Sequence, residues 1–104
     1  MATIRILLAD DHMLFRSGIR MLISAEPEME VVGEASNGAE AVEKASKARP
    51  DVVLMDVSMH GLSSFEATAK IIKNRPETMV LFLTMYDDED YLVKSMEVGA
   101  SGMY

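Results

Sequence analysis

Ile4-Arg5-Ile6-Leu7-Leu8-Ala9-Asp10-Asp11 is a short apolar run that stops abruptly at two carboxylates. A near-continuous apolar run of this length reads as a strand covered on both faces, the mark of a parallel sheet. Working outward, Val52-Val53-Leu54-Met55 repeats the pattern and ends at Asp56, and Met79-Val80-Leu81-Phe82-Leu83 repeats it and ends at Thr84. A weaker run, Val31 to Ala35, carries Gly33 and Glu34 and reads as an edge strand.

Helical patterns fill the gaps. Phe15, Ile19, Leu22 and Ile23 fall at helical spacing and predict an inner stripe, in a helix that must stop before Pro27. Asn37 with Glu40, and Ser63 with Glu66, fit the logic of a capping box. Ala41, Val42 and Ala45 form the expected inner face behind the first box, and Phe65, Ala69 and Ile72 the one behind the second. A fourth helix is expected to open in Asp87 to Asp90, where negative charge suits a helix N-terminus, with Leu92 and Met96 inside and Gly99 as C-cap. The chain is thus βα repeated four times, and Gly102-Met103-Tyr104 begins a fifth strand. The expected fold class is α/β, a doubly wound parallel sheet in one domain spanning 1–104, truncated at the start of the fifth strand.

Composition narrows the function. The chain has 104 residues, 49% of them hydrophobic and 26% charged, which suits one globular domain. It has no cysteine, so disulfides and thiolate zinc sites are excluded, and a reducing cytoplasm is compatible. A net charge of −7 argues against this domain gripping nucleic acid phosphates itself. No apolar stretch reaches the roughly 20 residues of a membrane span, and the first run is too short for a signal peptide.

Asp10 and Asp11 sit directly after the first strand, Asp56 directly after the third, and Thr84 ends the fourth. Open α/β sheets bind ligands at the carboxyl ends of their strands, so these groups converge on one place. A single strand-ending Asp is commonly a helix cap. Three carboxylates gathered together repel unless a cation joins them, and hard oxygen donors select Mg2+.

At this point Leu8-Ala9-Asp10-Asp11-His12, Val53-Leu54-Met55-Asp56-Val57-Ser58-Met59, Leu83-Thr84 and Gly99-Ala100-Ser101-Gly102 together resemble response regulator receiver domains, over essentially the whole chain. Asp11-His12-x-x-x-Arg16-x-Gly18 further resembles the NarL/FixJ (LuxR-type) subgroup. The resemblance implies the flavodoxin-like strand order 2-1-3-4-5. It implies Asp56 as phosphoacceptor; Asp11, Asp56 and the Ser58 backbone carbonyl as direct Mg2+ ligands, with Asp10 acting mainly through water; and Thr84 as the switch hydroxyl. A carboxylate is a competent nucleophile toward phosphorus, which agrees. It further implies a signalling domain rather than an enzyme, cytoplasmic, with a sensor histidine kinase as partner and DNA bound only through a downstream domain outside these residues.

The chain departs from the family pattern in places. Met59-His60-Gly61 stands where the family usually has Met-Pro-Gly, and Ser64 replaces the next Gly. The switch aromatic falls on Met103, with Tyr104 one place later. The phosphate-binding lysine, expected shortly past Tyr104, is absent from the chain, along with the rest of the final strand and its helix. Met79 to Leu83 would then form an apolar edge, and self-association through it, or a longer parent, is expected.

A degenerate receiver used only as an interaction module is a rival reading, which the missing lysine favours and the intact Asp10, Asp11, Asp56 and Thr84 set opposes, and two other classes compete. A flavodoxin-type flavin protein shares the fold, but Asp10-Asp11 would repel the flavin phosphate that its first loop must cradle. A phosphatase of the haloacid dehalogenase type wants Asp-x-Asp after the first strand, and here the aspartates are adjacent. His12 reads as a solvated or packed helix-start residue rather than a metal ligand, and His60, on a loop near the site, reads equally as a tuner of access or as a surface loop residue. The ten methionines, among them Met13, Met21, Met55, Met79 and Met96, read as adaptable core filling.

Overall fold

The computed structural model of the chain describes residues 3–56, 63–83 and 102–103. Its elements run β1 (Ile4–Ala9), α1 (Met13–Ser24), β2 (Met29–Ala35), α2 (Gly38–Ala48), β3 (Val52–Asp56), α3 (Ser64–Asn74), β4 (Met79–Leu83) and β5 (Gly102–Met103). All pair in parallel in one sheet, in the order β2-β1-β3-β4-β5. The apolar runs therefore became inner strands, and the mixed run around Gly33 became the edge, as expected. The expected fourth helix from Asp87 to Gly99 lies outside the described residues.

Strand periodicity sorts the apolar residues between two faces. Leu7, Ala9, Val53, Met55, Val80 and Phe82 join Ala41 and Ala45 of α2 and Phe65, Ala67 and Ile71 of α3 in the larger core. Phe65 and Phe82 meet edge to face, their ring centroids 5.1 Å apart. On the other face, Ile6 and Leu8 pack with Ile23 of α1, supported by Ile19, Val31, Val52 and Leu54. At the β1–β2 pairing, the register slips between Ile6 and Leu7. A Cβ on Gly33 would come within 3.1 Å of the Leu7 side chain, so glycine lets the edge strand close on β1.

Local signals set the helix starts. Asn37 accepts from the Glu40 amide at 2.8 Å and Ser63 from the Glu66 amide at 3.1 Å. Glu40 reaches back one residue further than a capping box requires, to the amide of Ser36 at 3.3 Å. α1 stops at Ser24, short of Pro27.

Three packing expectations need correction. In α3 the buried face is Ser64, Phe65, Ala67, Thr68 and Ile71; Ala69 is exposed and Ile72 only partly covered. The face that meets the sheet carries Phe65, Ala67 and Ile71, and Thr68 is tolerated on it because its hydroxyl donates to the Ser64 carbonyl at 2.8 Å. In α1 only Ile23 is buried, while Phe15 is 51% and Leu22 73% exposed. Met55 fills core, but Met13, Met21 and Met79 are exposed, so methionine is not uniformly core filling here. Met13, Phe15, Met21 and Leu22 lie on parts of α1 that no described element covers, and Met79 opens its strand at the sheet's rim.

Candidate functional site

The carboxyl ends of β1 and β3 lie side by side, with Ala9 registered against Met55. Asp10 and Asp56 each follow by one residue, so the sheet itself delivers two carboxylates to one point. Asp11 comes from the turn into α1. One donor atom from each of Asp10, Asp11, His12 and Asp56 lies within 4.8 Å of all the others. The Asp10, Asp11 and Asp56 side chains are only 6%, 17% and 12% exposed, against 70% for His12.

Such a gathering is electrostatically costly. Burial pushes the Asp10 carboxyl above its ordinary value, and the Asp56 charge adds to the effect, against hydrogen bonds from His12. The His12 imidazole is pushed up in turn, first by its hydrogen bond to Asp10 and then by the Asp11 charge. Its Nδ1 lies 2.9 Å from Asp11 Oδ1, 3.2 Å from Asp10 Oδ1 and 3.8 Å from Asp56 Oδ2. The expected solvated His12 is found, 70% exposed, and its Nδ1 also faces all three carboxylates. An all-oxygen set of largely buried carboxylates fits a hard divalent cation, which would remove the repulsion.

Supporting residues hold the acidic loop in shape. The His12 amide donates to Asp10 Oδ1 at 2.7 Å, and the Asp10 amide to the Ala35 carbonyl at 2.9 Å. Arg16 donates through Nη1 to the Asp10 carbonyl at 2.7 Å and through Nε to Glu34 at 3.0 Å. Arg20 takes the second Glu34 oxygen at 3.1 Å, and Lys44 donates to the Glu34 carbonyl. On the β3 side, the buried Ser64 hydroxyl donates to the Asp56 carbonyl.

Sequence reasoning found Asp10, Asp11 and Asp56, and the structure brings them together. It noted Arg16 only as part of a motif and Ser64 only as a departure from the family. It missed Glu34 and Lys44. Alternation of Glu34 with the apolar residues of an edge strand was the one available signal. Ser58, Thr84 and His60 lie outside the described residues.

Comparison with known proteins agrees with the geometry. Residues 6–103 match the response regulator receiver domain family, and the chain belongs to that family. It is 46% identical over 99 residues to the oxygen regulatory protein NreC of Staphylococcus haemolyticus, covering 94% of this chain and 46% of that protein. It is 43% identical over 99 residues to the transcriptional regulatory protein DegU of Brevibacillus brevis, covering 95% of this chain and 42% of that one. The chain thus spans less than half the length of these curated relatives. Among solved structures, the signal receiver domain of the putative response regulator NarL from Mycobacterium tuberculosis superposes with a TM-score of 0.93 at 32% identity, over 99% of this chain and 83% of that one. A two-component response regulator of the LuxR family from Aurantimonas gives 0.92 at 37% identity, over 98% and 73%. The resemblance to the NarL and LuxR-type subgroup holds, and the flavodoxin and phosphatase readings fall away. No described helix is long and apolar enough to cross a membrane.

Proposed function

We propose that Asp56 is the phosphoacceptor of this receiver domain and that the domain relays a signal from a sensor histidine kinase. The observation that carries the reading is the convergence of Asp10, Asp11 and Asp56 at the carboxyl ends of two adjacent parallel strands. An Asp56 carboxylate oxygen attacks the phosphorus of the donor. The bond from phosphorus to the donor's leaving group breaks, and an acyl phosphate remains on Asp56. Asp10, Asp11 and Asp56, with the Ser58 carbonyl, would hold Mg2+, which supplies charge neutralisation on the phosphoryl oxygens. Asp10 would act on it mainly through water. Ser64 fixes the Asp56 backbone from below, and Arg16 fixes that of Asp10, so the nucleophile and its neighbours keep their spacing. Thr84 is the hydroxyl that answers the phosphoryl group.

The reading extends to a longer cytoplasmic parent in which 1–104 is the receiver and a downstream domain binds DNA. The transcriptional role of the DegU relative supports it. Self-association through the first residues of β4 is part of the same reading: Met79 is 49% exposed, and among the described residues β5 pairs with β4 only at Leu81 and Phe82.

The test is direct. A small acyl phosphate with Mg2+ should add one phosphoryl group by intact mass, mapping to Asp56. Asp56→Asn should abolish loading, because an amide is a poor nucleophile. A label that persists in the variant on another residue overturns the assignment.

A further inference from the structure

His12 opens α1 as its N-cap residue, yet its side chain makes no capping hydrogen bond. The ring is turned instead toward the acidic cluster. Its Nδ1 approaches Asp11 Oδ1 to 2.9 Å and Asp10 Oδ1 to 3.2 Å, with Asp56 Oδ2 at 3.8 Å. The first two separations, which in the metal-free chain form a hydrogen bond to Asp10 and an ion pair with Asp11, also match the edges of a coordination polyhedron, while Asp56 stands farther off. Two donors each roughly 2.0–2.1 Å from one first-row divalent ion stand about 2.9 Å apart at a right angle and about 3.4 Å apart at the tetrahedral angle.

We propose that His12 is a direct metal ligand, so that the site offers an imidazole nitrogen beside its carboxylates and binds nitrogen-seeking divalent ions such as Co2+, Ni2+ and Zn2+ more tightly than Mg2+. The inference rests on reading the cluster as a divalent-cation site and adds a donor to it. Mg2+ takes oxygen donors and gains little from imidazole, whereas affinity for later first-row ions rises with nitrogen ligation.

The position of His12 is built rather than accidental. Its backbone amide donates to Asp10 Oδ1 at 2.7 Å, so ring and carboxylate are fixed by the same residue pair. Its carbonyl accepts the Arg16 amide at 2.9 Å, and Arg16 returns to the Asp10 carbonyl at 2.7 Å, closing a loop around the acidic turn. The ring is otherwise exposed, so an ion can enter past it and keep water on its outer positions.

A rival role is possible for the same contacts. A protonated imidazole could serve as a resident counter-cation that competes with any metal. The two roles oppose each other in sign. Removing a ligand weakens Co2+ binding; removing a competitor strengthens the binding of every cation.

Calorimetric titration of the chain with Co2+ and with Mg2+, in mildly alkaline buffer, separates them. The wild type should bind Co2+ the more tightly. His12→Ala and His12→Gln should each lose at least about 10-fold in Co2+ affinity, the loss that removal of even an outer-shell partner brings, with Mg2+ affinity held within a few-fold. On adding diamagnetic Zn2+, the 15N resonance of Nδ1 in the wild type should shift strongly while that of Nε2 moves little, as direct ligation through Nδ1 requires. Unchanged or improved Co2+ affinity in His12→Ala, or imidazole resonances that do not respond, overturns the proposal. If Mg2+ still binds in that case, the carboxylate site stands without its nitrogen ligand. If the wild type binds neither ion, both readings fall.

Discussion

The two faces of the sheet are built from the same strands and end up very different. The face under α2 and α3 is closed: Leu7, Val53, Met55, Val80 and Phe82 have no exposed surface, and two side-chain-capped helices lie over them. The face under α1 holds Ile6, Leu8 and Ile23, with Val52 and Leu54 only partly covered. Its helix has no side-chain cap, and Met13, Leu14, Met21 and Leu22 are each more than 70% exposed. Polar contacts hold α1 as much as apolar ones do, through Arg16, Arg20 and the Glu34 carboxylate they share. Stability therefore sits mainly on one face. The other carries the helix whose first turn belongs to the functional site.

Truncating the closed face should have the largest effect. Phe82→Ala removes a ring with no exposed surface that contacts Phe65, and should cost about 3–5 kcal/mol by chemical denaturation. A cost below about 1 kcal/mol would show that the two faces are not so unequal.

Next, Arg16→Ala should cost about 1–3 kcal/mol, since it removes charge-assisted bonds to Glu34 and the Asp10 carbonyl. It should also weaken Mg2+-dependent stabilisation, read as a smaller rise of Tm on adding the ion. An unchanged Tm would mean that α1 is held by its apolar residues alone.

A smaller change, of opposite sign, is expected from Asp10→Asn in metal-free buffer. Burial raises the folded-state pKa of Asp10 above the unfolded value of 3.8, so the folded state holds this proton more tightly. Folding stability then falls as pH rises from 3.8 through the raised value, and the loss persists above it. The asparagine keeps the acceptor for the His12 amide and never carries the charge. The variant should be the more stable form above that window and should lose its advantage below it. Melting curves across the acidic range would show this, and a variant less stable at neutral pH would refute it.

Leu22→Ala should do least, within about 0.5 kcal/mol, because its side chain leaves little water on folding. A cost near that of Phe82→Ala would show that the α1 face is covered in solution, and light scattering on the same samples would say whether by a second copy.

The acidic triad was legible because it depends on chain-local facts. Each carboxylate lies at or just past the end of an apolar run, and parallel strands align such ends. The capping roles of Asn37 and Ser63 were legible for the same reason, since a cap and its amide are three residues apart. Ser64 and Glu34 were not. Ser64 meets the Asp56 carbonyl from eight positions along the chain, and Glu34 meets Arg16 and Arg20 only because β2 lies beside α1.

Periodicity and strand-end chemistry therefore determined that this chain forms a parallel α/β sheet with Asp10, Asp11 and Asp56 at one rim. Both act through neighbours along the chain, and one-dimensional order suffices to read them. Tertiary structure alone decided which apolar residues are buried, since Leu22 and Ile23 are equally apolar and only Ile23 meets the sheet. It also decided that His12 turns toward the carboxylates rather than away. That choice depends on the angle at which α1 leaves β1, which the packing of Ile19 and Ile23 and the hold of Arg16 on Asp10 set together.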